Sequence, residues 1–233
     1  MSAATTAAQL LSISVALIAC GGIATLSLFD VPQLQSQPAS RSLPMTRWLF
    51  SRGSHIFPKA AVLSSAGFVY LGYTAVPSAQ LADFLGHATK FGKVSGYLAA
   101  ATLTFAIAPV TALLMIPTNF ALIAKNEELG GARSQASAKQ GDAKPEKRSA
   151  EDSVNAKGLV EELSDLSVPQ GRTTKESSEQ DDREVRELLG KFGMLNGLRA
   201  ALMGSGGMCP GEGLPLRQNA AARILGLHHQ LGK

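Results

Sequence analysis

The sequence predicts an all-α membrane protein, a small bundle of transmembrane helices carrying a disordered polar insert. Charge segregation is the first sign. Of 22 basic and 18 acidic side chains in 233 residues, only eight lie in residues 1–124: Asp30, Arg41, Arg47, Arg52, Lys59, Asp83, Lys90 and Lys93. A soluble α/β domain interleaves charge with apolar residues along every element, so this split argues against a single soluble globule. The second sign is three charge-free stretches, each long enough for the roughly 20 helical residues that a ~30 Å hydrocarbon core requires. Backbone polar groups in lipid must pair within their own segment, so the stretches are read as helices.

The first span is placed at about 6–29, the second at 60–82 and the third at 94–118, within a transmembrane bundle of residues 1–124. A signal peptide is the alternative for the first. It lacks a positive n-region, is long for an h-region and is followed by two more apolar stretches, so an uncleaved helix is preferred. Four basic residues between Asp30 and Ala60, against none before them, favour an outside N-terminus with the first loop and the insert cytosolic. Paired small residues (Gly21 and Gly22, Ser64 to Gly67, Ala99 to Ala101) allow close helix packing.

Residues 125–182 are rich in charge, Ser and Gln and cannot bury enough apolar area to offset their ordering entropy, so they are expected to be disordered. Within them Leu159, Leu163 and Leu166 fit one short helical stripe. Val185, Leu188, Leu189, Phe192, Leu195, Leu198 and Leu202 recur at helical spacing, giving an amphipathic helix over 183–203. Residues 204–233, opening on a Gly-rich run with Pro210, are expected to form an irregular tail. No fourth span is drawn there.

Two cysteines, Cys20 and Cys209, make neither a disulfide framework nor a zinc site. The net charge of +4 comes without a basic stripe interleaved with aromatics, which leaves nucleic-acid binding unsupported. Metal, flavin and nicotinamide motifs are absent, and His87, His228 and His229 lack partners at ligand spacing.

Polar groups bordering apolar helices carry the functional signal, because each is costly there unless paired or used. Thr111, Met115, Thr118 and Asn119 fall near one face of a stretch interrupted by Pro109 and Pro117. They are either a polar pocket with Asn119 as donor or an ordinary helix end at the headgroups. Trp48, Arg52 and His55 share a face if their segment is helical, with His55 suited to proton abstraction near neutrality. Their bland reading is an interfacial aromatic belt. Phe192, Asn196 and Arg199 stand at successive turns, where Arg199 suits an anionic ligand or, as the bland reading, lipid headgroups.

The stretch APVTALLMIPTNFALIAKNEEL from Ala108 resembles the hallmark Pro-x-Thr, Met-x-Pro-Thr-Asn pattern of the DUF1772 family, whose fungal members include anthrone oxygenases. LLGKFGMLNGLRAALMG, from Leu188, is similar to the family's aromatic-x-x-x-Asn-x-x-Arg motif, with Phe192 where Trp is usual. The family continues past that Arg into a fourth apolar helix, where this sequence turns rich in glycine and proline after Met203. The resemblance implies a cofactor-independent oxidation by O2 of an anthrone to an anthraquinone within a polyketide pathway, at a multi-pass internal membrane such as the endoplasmic reticulum. Polyketide-pathway proteins are its implied partners besides substrate and lipid. On that reading His55, Asn119 and Asn196 are catalytic, and Trp48, Thr118, Phe192 and Arg199 bind substrate. The alternative function is a non-catalytic membrane scaffold whose insert recruits partners.

Overall fold

A computed structural model describes residues 2–76, 80–90, 92–139 and 167–209. Every regular element among them is helical. The first rod is α1 (Ala3–Thr25), a π-helical segment (Leu26–Asp30) and α2 (Val31–Gln35). The second is α3 (Ala39–Thr74), followed by the short α4 (Leu81–Ala88). The third joins α5 (Lys93–Phe105), α6 (Ile107–Val110), a second π segment (Thr111–Met115) and α7 (Ile116–Glu128). After α8 (Gln135–Lys139) the fourth rod is α9 (Glu179–Met208).

Proline places both π segments. Val31 N–H donates to Leu26 O and Ile116 N–H to Thr111 O, each five residues back, and the next residue is Pro32 or Pro117. A proline ring collides with the carbonyl four residues before it, here Leu28 or Leu113, in the middle of the widened turn. Opening that turn makes room for the ring and keeps the helix continuous.

The rods alternate in direction around a square. Cys20 meets Ala200, Ser27 meets Gly193 and Gln35 meets Arg186, so the first and fourth rods are antiparallel. Ser64 Oγ donates to Ser12 O, and Ser65 Oγ to Ala101 O, joining α3 to α1 and to α5. Small residues at the seams let the backbones approach. One core cluster holds Ile23, Phe68, Tyr97 and Met203, and a second, toward the α2 end, holds Val31, Leu43, Met115, Leu189 and Phe192.

Several expectations change. Among the described residues two helices are long and apolar enough to cross a membrane, Ala3–Gln35 and Lys93–Glu128. Both overrun the expected 6–29 and 94–118. Only 22% and 28% of their most apolar stretches is buried, unlike the core helix of a soluble protein. Instead Leu10, Ile18, Leu28, Phe29, Leu113 and Leu114 face outward. The span expected at 60–82 is the later half of α3, which turns at Ala75 and is continuous with the supposed first loop back to Ala39.

The flanks of the expected insert are ordered. Thr173 N–H donates to Ser40 O at 2.8 Å, and Lys175 N–H to Leu129 O at 3.0 Å. Gln135 N–H donates to Val168 O at 2.9 Å, and Asp182 accepts from Ala39 N–H at 2.7 Å, capping the start of α3. These long-range bonds supply the ordering that composition withholds. Residues 140–166, with the stripe of Leu159, Leu163 and Leu166, lie outside the described residues.

The amphipathic helix expected over 183–203 starts earlier and ends later. Ser178 and Asp181 form a reciprocal capping box, with acidic Glu179, Asp181 and Asp182 in the first turn. Its glycine-rich end is helical through Met208 because the glycines are packing surfaces. A Cβ at Gly204 would lie 2.8 Å from Cys20 Sγ, and one at Gly206 would lie 2.9 Å from Ala100 O. The irregular tail therefore does not begin at 204, and residues 210–233, including His228 and His229, lie outside the described residues.

Candidate functional site

On α9 the positions i, i+4 and i+7 bring Phe192, Asn196 and Arg199 to one inward face. Asn196 is fully buried and Arg199 is 7% exposed. Asn196 Nδ2 donates to Phe192 O at 3.1 Å, and Arg199 Nη1 donates to Asn196 Oδ1 at 2.9 Å. Each link fixes the next, so the amide is held by its own helix and the guanidinium by the amide. The Phe192 ring packs edge-on against Phe50 at 5.1 Å and belongs to the second core cluster.

The guanidinium lies over the ring of Phe57, 5.7 Å from its centroid. Its Nε is buried without a hydrogen-bond partner. Among the described residues no carboxylate forms an ion pair with Arg199, although such pairs hold Lys125 and Arg172 elsewhere. A buried cation without a counter-ion costs several kcal/mol. An anion bound beside it would offset that cost and find a strong, directional donor. Both π segments touch α9, so the widened turns of the first and third rods border this helix.

The other candidates occupy α3 and the start of α7. His55 is buried, 6% exposed, one turn after the buried Ser51 on α3. The conditional reading of Thr46–His55 as helix holds. Trp48 is half-buried, its Nε1 donates to Ser167 O at 2.9 Å, and the Arg52 guanidinium sits 5.1 Å above its ring. Arg52 Nη2 also reaches Ser167 O, at 3.4 Å. Trp48 thus joins α3 to the strap over residues 167–178. Thr118 and Asn119 lie in the first turn of α7, after the second π segment, and Thr118 Oγ1 and Asn119 Oδ1 are buried without hydrogen-bond partners. Unsatisfied buried polar atoms are uncommon and call for a partner.

Phe57 is the residue that sequence reasoning missed. It is flanked by Pro58 and, lying just before the span expected at 60–82, looks like one more apolar residue of the first loop. Its only advance signals were Gly22 and Gly53, which seat its ring in the fold. An open apolar groove of 620 Å³, lined by Val62, Val69, Tyr70, Tyr73, Phe84 and Phe105, contains none of the candidate polar residues.

At the α2 end, Lys125 meets Glu184 at 2.9 Å, Asp181 at 3.3 Å and Glu128 at 3.6 Å. Hydrogen bonding to Glu184, with lesser help from Asp181, raises the Lys125 ammonium above its ordinary value despite partial desolvation. The Ser178 hydroxyl and N–H, together with Lys125, hold the Asp181 carboxyl below the usual range. This network clasps α7 to α9 at the level where the strap crosses.

No three His, Cys, Asp or Glu side chains cluster as a metal site among the described residues. Residues 47–209 match the family model described as anthrone oxygenase, a span holding every candidate from Trp48 to Arg199. No curated protein and no solved structure matches the chain.

Proposed function

Since the chain belongs to the anthrone oxygenase family, we propose that it oxidises an anthrone-type polyketide to the corresponding anthraquinone with O2, at a membrane and without a metal or flavin. The overall change is anthrone plus O2 to anthraquinone plus water. An anthrone carries an acidic CH2 opposite its carbonyl, and loss of one proton gives an electron-rich anthranolate. That anion passes one electron to O2, and the resulting radical pair couples at the same carbon to form a peroxide. Loss of the second ring proton with cleavage of the O–O bond leaves the new carbonyl and water. The protein needs only to remove the proton, hold the anion and admit O2.

Arg199 is assigned to the anion. The observation that carries the reading is this buried guanidinium, hydrogen-bonded to Asn196 and lacking a carboxylate partner. Asn196 is assigned to aim Arg199 and to offer its remaining amide hydrogen to a substrate oxygen. His55 is the general base. Thr118 and Asn119, whose buried oxygens lack partners, are assigned to substrate hydroxyls. Trp48 is given no stacking role, because Arg52 lies over its ring and Ser167 takes its N–H. Phe192 is assigned to back the substrate site, braced by its edge contact with Phe50.

A multi-pass arrangement is supported by apolar side chains exposed on all four rods, among them Ile18, Ile56, Val62, Leu113 and Leu198. An internal membrane with a cytosolic insert is the proposed setting. Oxygen uptake by detergent-solubilised protein given a hydroxylated anthrone, with the autoxidation rate subtracted, tests the function. Uptake above background with stoichiometric quinone supports it, and His55→Ala should lower the rate by about 10²-fold if the histidine is the base. A flat trace from folded protein would overturn the oxygenase reading in favour of the scaffold.

A further inference from the structure

A buried guanidinium is usually fixed by a carboxylate, which both orients it and cancels its charge. Arg199 is fixed differently. One edge is hydrogen-bonded to Asn196 and its plane lies over Phe57, with no acid in reach among the described residues. We infer that Phe57 is a positioning residue, whose ring stands in for the counter-ion and leaves the full positive charge of Arg199 for an anionic aromatic substrate. The aromatic face attracts a cation through its quadrupole but neutralises nothing. A carboxylate in the same place would occupy the guanidinium fork and repel the substrate anion.

The ring is held on two edges for this task. A Cβ at Gly22 on α1 would stand 3.3 Å from Phe57 Cε1, and one at Gly53, a turn earlier on α3, would stand 3.4 Å from Cε2. Glycine at 53 lets the ring lie back along its own helix, and glycine at 22 lets α1 close on the other edge, which leaves its face toward α9. The same ring packs against the cluster of Ile23, Phe68 and Met203, so its position is tied to the core. No candidate motif pointed to it, because its role runs through Arg199.

This inference rests on Arg199 receiving the substrate anion, and the test separates the two. Phe57 is replaced by mono-, di- and trifluorinated phenylalanine, which keeps the shape of the ring while progressively weakening its attraction for a cation. A hydroxyanthraquinone serves as a non-turnover probe, since its phenolate absorbs at longer wavelength and reports the pH at which the bound dye ionises. The inference expects a stepwise rise of that pH and of KM across the series, reaching roughly tenfold weaker binding, with kcat and Tm nearly constant. Phe57→Leu should lose the effect and Phe57→Tyr should recover it. If Arg199→Gln abolishes the spectral shift while the fluorinated series binds like wild type, the role of Phe57 is refuted and that of Arg199 stands. If Arg199→Gln itself leaves binding and turnover unchanged, the underlying reading fails first.

Discussion

Substituting Gly206 by alanine tests whether the glycine-rich end of α9 is a packed helix. In an exposed helix, Gly→Ala is stabilising by about 1 kcal/mol because it lowers the entropy of the unfolded backbone. At Gly206 the new Cβ would lie 2.6 Å from Thr104 Cγ2 and 2.9 Å from Ala100 O. The Thr104 side chain cannot turn away cheaply, since its hydroxyl donates to Ala100 O and Ala101 O, and the carbonyl is backbone. α5 and α9 must therefore separate, an overpacking cost of about 1–3 kcal/mol, or more where backbone has to shift. A net destabilisation of about 1–2 kcal/mol follows, a fall in Tm of about 2–8 °C for a chain of this size. Gly21→Ala is the control, for its Cβ meets nothing within 4 Å and it should be neutral or stabilising. Thermal unfolding in detergent, followed by circular dichroism, makes the comparison. Equal stability of the two variants would refute the packing of α9 on α5.

Three further outcomes are expected. Thr118→Val removes a buried hydroxyl without a partner, so Tm should hold or rise, corresponding to about 0–1 kcal/mol, while turnover falls. Unchanged turnover would remove Thr118 from the site. The raised Lys125 pKa means a stabilising contribution that is fully present below about pH 10 and lost as pH rises through the folded value. The depressed Asp181 pKa means one that is present above about pH 4 and lost as pH falls through the folded value. From these two groups Tm should be flat between about pH 5 and 9 and drop at both ends. Lys125→Met should lower Tm at pH 7 by an amount that shrinks in high salt, and an effect independent of salt would contradict the ionic account.

Much of the helical architecture was legible. Charge segregation marked the apolar half, and the spacing from Val185 to Leu202 marked the fourth helix before any contact was known. The order of residues 167–178 was not, because it depends on backbone bonds to Ser40 and Leu129 that no local pattern encodes. Residues 204–208 misled for a related reason. Glycine disfavours a helix locally, and only the close approach of Cys20, Ala100 and Leu17 shows why it is there. The break between a supposed first loop and a second span dissolved into one helix, as Pro44 and Pro58 are accommodated within α3. In the site, Asn196 and Arg199 announced themselves as polar residues on an apolar helix. Phe57 could not, since an aromatic acting on a cation looks in sequence like any other core residue.

The central claim is that a buried, unneutralised Arg199 holds the anionic form of the substrate. Steady-state oxygen consumption with a hydroxylated anthrone, compared between wild type and Arg199→Gln at matched folded fraction, addresses it most directly. The account expects kcat/KM to fall by about 10²-fold, as for loss of one preorganised charge-stabilising donor, with Tm equal or higher because a lone buried charge is gone. A variant that consumes oxygen within about twofold of wild type, where the lost stabilisation would be under ~0.5 kcal/mol, would contradict it.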